Sequence, residues 1–264
     1  MDTYSRRAIK KYLPYLALAL LVALTYTTWR LYERNVRQRE ENRFMHSVNH
    51  VINEIVDRIH RYEMVLQGGA GLFAASEEVT REEWQAYCEY QQTVDLYPGV
   101  RGVGYAAIID GDELMQHETS VRAEGFPDYA VWPAGERDSY AAVVYMEPFD
   151  DVNERAFGFD LFSEEVRRTA AERARDHDSA SISGKLTLQQ NLRDDNQAGF
   201  IMFLPVYNKD LPQSTVEERR RALEGLIFAP FQMIELMENI FPDPLYAIDF
   251  EIYDGTEISQ AALL

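Results

Sequence analysis

Nine aromatic side chains fall between Phe126 and Phe162: Phe126, Tyr129, Trp132, Tyr140, Tyr145, Phe149, Phe157, Phe159 and Phe162. Flat rings with a few polar groups among them can grip a small planar molecule, and Glu147, Asn153 and Asp160 supply such groups in the same window. Trp132, Tyr140 and Tyr145 are the aromatic candidates for ligand contact. The same residues also fit a plain core role, because strands favour aromatics, while Glu147-Pro148 and Asn153 can shape a turn. Glu147 and Asp160 are in addition an example of paired carboxylates that an extracytoplasmic hydrolase could use, although no nucleophile and base pairing is evident.

Other chemistry is sparse. His46, His50 and Glu54 stand at i, i+4 and i+8 on one helical face and could hold a metal, but a third ligand from elsewhere is not evident, so a solvated or dimer-facing surface is the simpler reading. Asp150, Asp151 and Glu154 lack the glycine and carboxylate spacing of a calcium loop. Gly68-Gly69-Ala70-Gly71 follows a helix rather than a strand and so cannot cradle a phosphate in the dinucleotide manner. The chain has no Gly-x-Ser-x-Gly, no His-Glu-x-x-His and no Gly-Lys-Ser/Thr loop. Neither a cofactor nor a metal is expected. The single Cys88 excludes an intramolecular disulfide and reads as a small apolar helix residue near Trp84 and Tyr87.

The elements that must position these groups follow from periodicity. From Glu33 to Leu66 there is no Gly or Pro, and Phe44, Val48, Val51, Ile55, Ile59, Tyr62 and Leu66 recur at spacings of 3 and 4, one stripe of a stalk helix. Such a stripe can face a second copy as a coiled coil, so a homodimer is expected. The glycines at 68–71 are expected to break that helix, and Thr80-Arg81-Glu82-Glu83 is a capping box that starts another through Trp84, Tyr87, Gln91 and Val94. Strands are expected over 103–109, 140–145, 182–188, 200–207, 225–229 and, half-exposed, 245–253; helices over 114–122, from a Ser163 cap to Asp176, from Thr215, and over 231–241. Interleaving without a repeated βαβ beat predicts α+β with mainly antiparallel sheet.

Composition bounds the compartment. Of a formal net charge of −18, residues 1–12 contribute +3 through Arg6, Arg7, Lys10 and Lys11 against Asp2, and the acidic body that remains repels nucleic acid. Residues 13–29 carry no charge, and with aromatic flanks Tyr12 and Tyr32 the run offers 21 positions, about 31 Å of helix, enough for one bilayer crossing. The basic cluster sets residues 1–12 as cytoplasmic, 13–32 as transmembrane and 33–264 as extracytoplasmic (periplasmic), anchored in the inner membrane. A cleaved signal peptide is the alternative, but no Ala-x-Ala site follows the run.

An ordered set of segments then carries a resemblance: Gly71–Ser76, Tyr97–Tyr105, Tyr140–Pro148, Asn153, Gly158–Asp160, Arg167-Arg168, Leu186–Gln189, Leu204–Tyr207, Thr215–Arg219, and Phe231 to Tyr253. Together they resemble the CHASE family, the extracytoplasmic ligand-sensing module of membrane-bound bacterial signalling proteins and plant cytokinin receptors. The resemblance implies a stalk helix carrying two PAS-like sheets, with a membrane-distal ligand-binding subdomain over 67–200 and a membrane-proximal one over 201–264. It implies a small-molecule, purine-like ligand and an output module, a histidine kinase or cyclic-di-GMP enzyme, whose motifs do not occur here; the chain is therefore expected to be part of a longer protein. The family's purine-reading aspartate falls on Pro148, with Glu147 beside it, and its threonine contact falls on Ser183. A tethered scaffold that binds only protein remains an alternative.

Overall fold

The computed structural model describes residues 3–92, 99–188, 198–240, 250–260 and 262–264, with side chains from Tyr15 onward and to Glu238 in the last helix. Two compact units divide within the first helix, Met1–Glu54 and Ile55–Leu264. In the first unit, helix α1 (Thr3–Ala75) leaves Tyr15, Leu16, Leu18, Leu20, Leu21, Val22, Leu24, Tyr26 and Trp29 exposed. Among the described residues no helix is long and apolar enough to cross a membrane, so the span expected over 13–32 is not supported by the fold itself.

The second unit is an α+β domain around one antiparallel sheet. Its strands are β1 (Val103–Asp110), β2 (Ser139–Glu147), β3 (Ser181–Ile182), β4 (Gly199–Tyr207) and β5 (Leu223–Gln232), in the spatial order β2-β1-β5-β4-β3. Every pairing is antiparallel, with Tyr105 opposite Ile227 and Phe203 opposite Phe228 at the centre. Both faces are covered, which is why β4 and β5 read as continuous apolar runs and not as an alternation. On one face the end of α1 and α2 (Arg81–Gln91) bring Tyr62, Leu66, Trp84 and Cys88 against Tyr105, Tyr140, Met202, Ile227 and Phe231. On the other, α4 (Glu165–His177) sets Ala170, Ala171 and Ala174 against Val143, Phe203, Leu226 and Phe228. Further helices among the described residues are α3 (Leu114–Ala123), α5 (Val216–Ala222) and α6 (Met233–Ile240).

Several sequence expectations need correction. The glycines do not end α1, which continues to Ala75. A Cβ at Gly68 would meet the Tyr87 hydroxyl at 2.6 Å, and one at Gly69 would meet Ile227 Cδ1 at 3.1 Å and the Trp84 ring at 3.2 Å. The glycines thus let the helix approach its neighbours, and that packing outweighs a helix penalty of about 1 kcal/mol each. Ser163 is not the cap of α4: the N-cap is Glu164, without a side-chain cap bond, while Ser163 Oγ donates to the Asp160 carbonyl at 2.6 Å. The strand expected over 182–188 is reduced to β3, because Ser183 Oγ accepts the Ile201 N–H and pairing resumes only as a bridge between Leu186 and Gly199.

The capping box expected at Thr80 and Glu83 is formed, and the helix that starts after Thr215 carries a second, between Thr215 and Glu218. Helix α6 starts at Met233, since Phe231 and Gln232 belong to β5. Val94 and most of the strand expected over 245–253 lie outside the described residues, and Phe250–Ile252 is not a strand. The boundary that the resemblance implies near residue 200 falls at the start of β4, and β4 and β5 lie between β1 and β3 in this sheet.

Candidate functional site

The chain between β2 and β3 crosses the sheet face opposite α1. It holds two 3₁₀ turns, Asn153–Ala156 and Leu161–Ser163, followed by α4. Gly158 makes the first crossing possible: its φ of +76° suits glycine, and a Cβ there would lie 2.3 Å from the Ala130 carbonyl oxygen. The segment then runs beside β2, with Gly158 N–H donating to Val143 O at 2.9 Å and Val143 N–H to Phe159 O at 3.1 Å.

Beneath this cover lies a cavity of about 10 Å³, lined by Val143, Ala156, Phe159, Leu161, Arg167, Leu188, Ile201, Phe228 and Pro230. Its one charged wall is Arg167, which is only 3% exposed. The guanidinium donates through Nη2 to Thr187 O at 2.8 Å, ion-pairs through Nη1 with Glu164, and lies 5.2 Å from the Phe159 ring centre. Its Nε has no hydrogen bond. Burial pulls the Arg167 pKa down to about 10, still leaving it charged at neutral pH. A buried cation at an apolar cavity is what an anionic or strongly accepting ligand group requires.

The seven residues singled out from the sequence are dispersed, and none lines this cavity. Tyr140 and Tyr145 belong to the α1 and α2 face: Tyr140 donates its hydroxyl to Gly135 O at 2.7 Å, and Tyr145 to Val79 O at 2.9 Å. Tyr145 also stacks near Tyr105 and Trp84, with the Arg81 guanidinium 5.0 Å from its ring centre. Trp132 packs edge-on against Phe159 at 4.7 Å and donates Nε1 to Phe157 O at 2.8 Å. It also lines a shallow cleft with Phe126, Tyr129 and Phe157. Asn153 is buried and donates to Arg101 O and Pro148 O, both at 2.9 Å, holding the Glu147-Pro148 turn. Ser183 Oγ donates to Gly184 O while accepting Ile201 N–H.

Asp160 is fully buried, and its Oδ1 accepts both Ala141 N–H and Phe162 N–H at 2.9 Å. Its Oδ2 lies 3.5 Å from Arg137 Nη1. Glu147 is half-buried, and burial foremost raises its pKa, against a hydrogen bond from Phe149 N–H that lowers it. Glu147 and the Asp160 partner Ala141 are six residues apart on β2, about 20 Å, far beyond the reach of paired catalytic carboxylates. Within the His46, His50 and Glu54 group, His50 lies 4.0 Å from Glu54, and no cluster that could hold a metal occurs among the described residues.

Arg167, which enters the sequence reading only through the family resemblance, is not among the site candidates. The signal was present: Arg167, Ala170, Ala171 and Ala174 share one helical stripe, so an arginine on the small-residue face of α4 must point at the sheet.

A family model described as the CHASE domain matches residues 77–264. Histidine kinase 3 of Arabidopsis thaliana is 28% identical over 146 residues, covering 54% of this chain and 13% of that protein. Probable histidine kinase 4 of Oryza sativa subsp. japonica is 34% identical over 110 residues, covering 41% of this chain and 10% of its own length. The chain thus spans a small part of the kinases it matches.

Proposed function

Because this chain belongs to the CHASE domain family, a family of sensor domains, we propose that it is the input module of a membrane-anchored receptor. It binds a small molecule under the β2–β3 cover and passes the event to an output enzyme, a histidine kinase by analogy with its relatives. The observation that carries the ligand-binding reading is the buried Arg167 at a cavity on the sheet face, with one donor unpaired. The strand order β2-β1-β5-β4-β3 supports the PAS-like assignment that the resemblance implies. This segment has no catalytic role in the reading, and the dispersal of Glu147 and Asp160 supports that.

The anchor is part of the proposal. Nine large apolar or aromatic residues from Tyr15 to Trp29 are exposed, a surface that water does not favour. The hydroxyls of Thr25, Thr27 and Thr28 donate to carbonyls one turn back at 2.8, 2.9 and 2.6 Å, which lowers their cost in lipid. Residues 33–264 then face the outside, and a second copy covers the exposed Phe44, Met45 and Ile52 of α1.

Thermal unfolding of the full chain in detergent, screened against purines, amino acids, peptides and organic acids, tests the binding role. At least one class raises the melting temperature; a folded chain that responds to none contradicts it.

A further inference from the structure

Arg167 defines the ligand more narrowly than the family does. A guanidinium this buried requires an anion, and the one it has is Glu164, three residues earlier on the same chain. Glu164 is poorly suited to a permanent structural role. Its side chain is 42% exposed, and although it occupies the N-cap of α4 it makes no cap hydrogen bond. Around the cation the walls are aliphatic or aromatic: Val143, Leu161, Leu188, Ile201 and Phe228.

The cavity as it stands, about 10 Å³, has room for roughly one water, which a purine far exceeds. A carboxylate that takes over the Glu164 position needs little new space for its head group, because one carboxylate leaves as the other arrives. Its hydrocarbon tail then meets the apolar walls, while Nη2 keeps its bond to Thr187 O.

We propose that the ligand is a small aliphatic carboxylate, bound to Arg167 in the place that Glu164 holds in the empty sensor. The proposal rests on the sensor reading above and adds the ligand's chemical class. Displacement of Glu164 frees the first turn of α4, so occupancy of the site is reported at the helix that covers the sheet.

The test uses the full chain in detergent and matched pairs of probes: acetate, propionate and butyrate against acetamide, propionamide and butyramide. Melting temperature and isothermal titration are read for the wild type, Glu164→Gln and Arg167→Gln. The acids raise the wild-type melting temperature and the amides do not. Glu164→Gln, which removes the resident competitor, tightens acid binding about tenfold if the internal pair is closed nine-tenths of the time. Arg167→Gln abolishes the response; should it fail to fold, the half-exposed Glu164 variant still decides.

Amides that stabilise as well as acids, or a Glu164→Gln variant that binds acids more weakly, overturn the proposal. Silent acids alongside a stabilising adenine or amino acid overturn it while leaving the sensor reading intact. Silence of every compound on a folded wild-type chain overturns both.

Discussion

Asp160 is held by structural partners before any chemistry it could perform. Its Oδ1 satisfies two backbone N–H groups that would otherwise be buried and unpaired. Asp160→Ala is therefore expected to lose about 2–4 kcal/mol in urea unfolding, while Asp160→Asn, which keeps an acceptor oxygen, loses less than half of that. Equal losses would contradict this role. The same holds for Trp132, Tyr140 and Tyr145, since each spends its polar atom on a backbone carbonyl whose position no local pattern reveals. Arg167 could be read from its helical stripe, but not its pairing with Glu164, an extended N-cap residue outside the helical repeat. Cys88 was read as inert, and burial pushes its thiol pKa far up. Ellman's reagent should leave it untouched until the chain unfolds, and reaction in the native state would contradict the burial.

At the scale of elements, the Thr80 capping box, the helix start at Thr215 and the strands with strong apolar runs were readable because their signals are local. The helix through Gly68 and Gly69 was not, because its reason lies in Tyr87, Trp84 and Ile227, which are distant in sequence. Gly68→Ala should cost about 1–3 kcal/mol by overpacking against the Tyr87 hydroxyl, and clearly less in a Tyr87→Phe background. The same cost in both backgrounds would rule out that contact as the cause. The tie between α4 and α5 is electrostatic: a hydrogen bond from Arg220, with help from Arg175, holds the Asp176 carboxyl well below the usual range. A depressed carboxylate pKa stabilises above the unfolded value, about 3.9, and loses that contribution as pH falls through the folded value. Asp176→Asn should thus be less stable than the wild type at pH 7, by about 1 kcal/mol after solvent screening, with the gap closing below about pH 4. A gap constant from pH 7 to pH 2 would contradict the ion pair.

For the whole molecule, α+β class and antiparallel pairing were legible from interleaved periodicities, whereas the merging of β4 and β5 into one sheet with β1 and β2 depends on pairings across more than 100 residues. The proposed topology has a simple check, because Cys88 is buried and silent. A cysteine at exposed Ser120 should react with an impermeant maleimide in intact cells, and one at Arg6 only after permeabilisation; the reverse pattern contradicts the anchor. The central claim, that ligand is held beneath the β2–β3 cover, is tested most directly by the ligand-induced shift in melting temperature of two variants. Ala156→Phe fills the cavity, and Phe126→Ala opens the outer aromatic cleft. The shift should vanish in Ala156→Phe and persist in Phe126→Ala. A shift that survives in Ala156→Phe and disappears in Phe126→Ala would contradict the account.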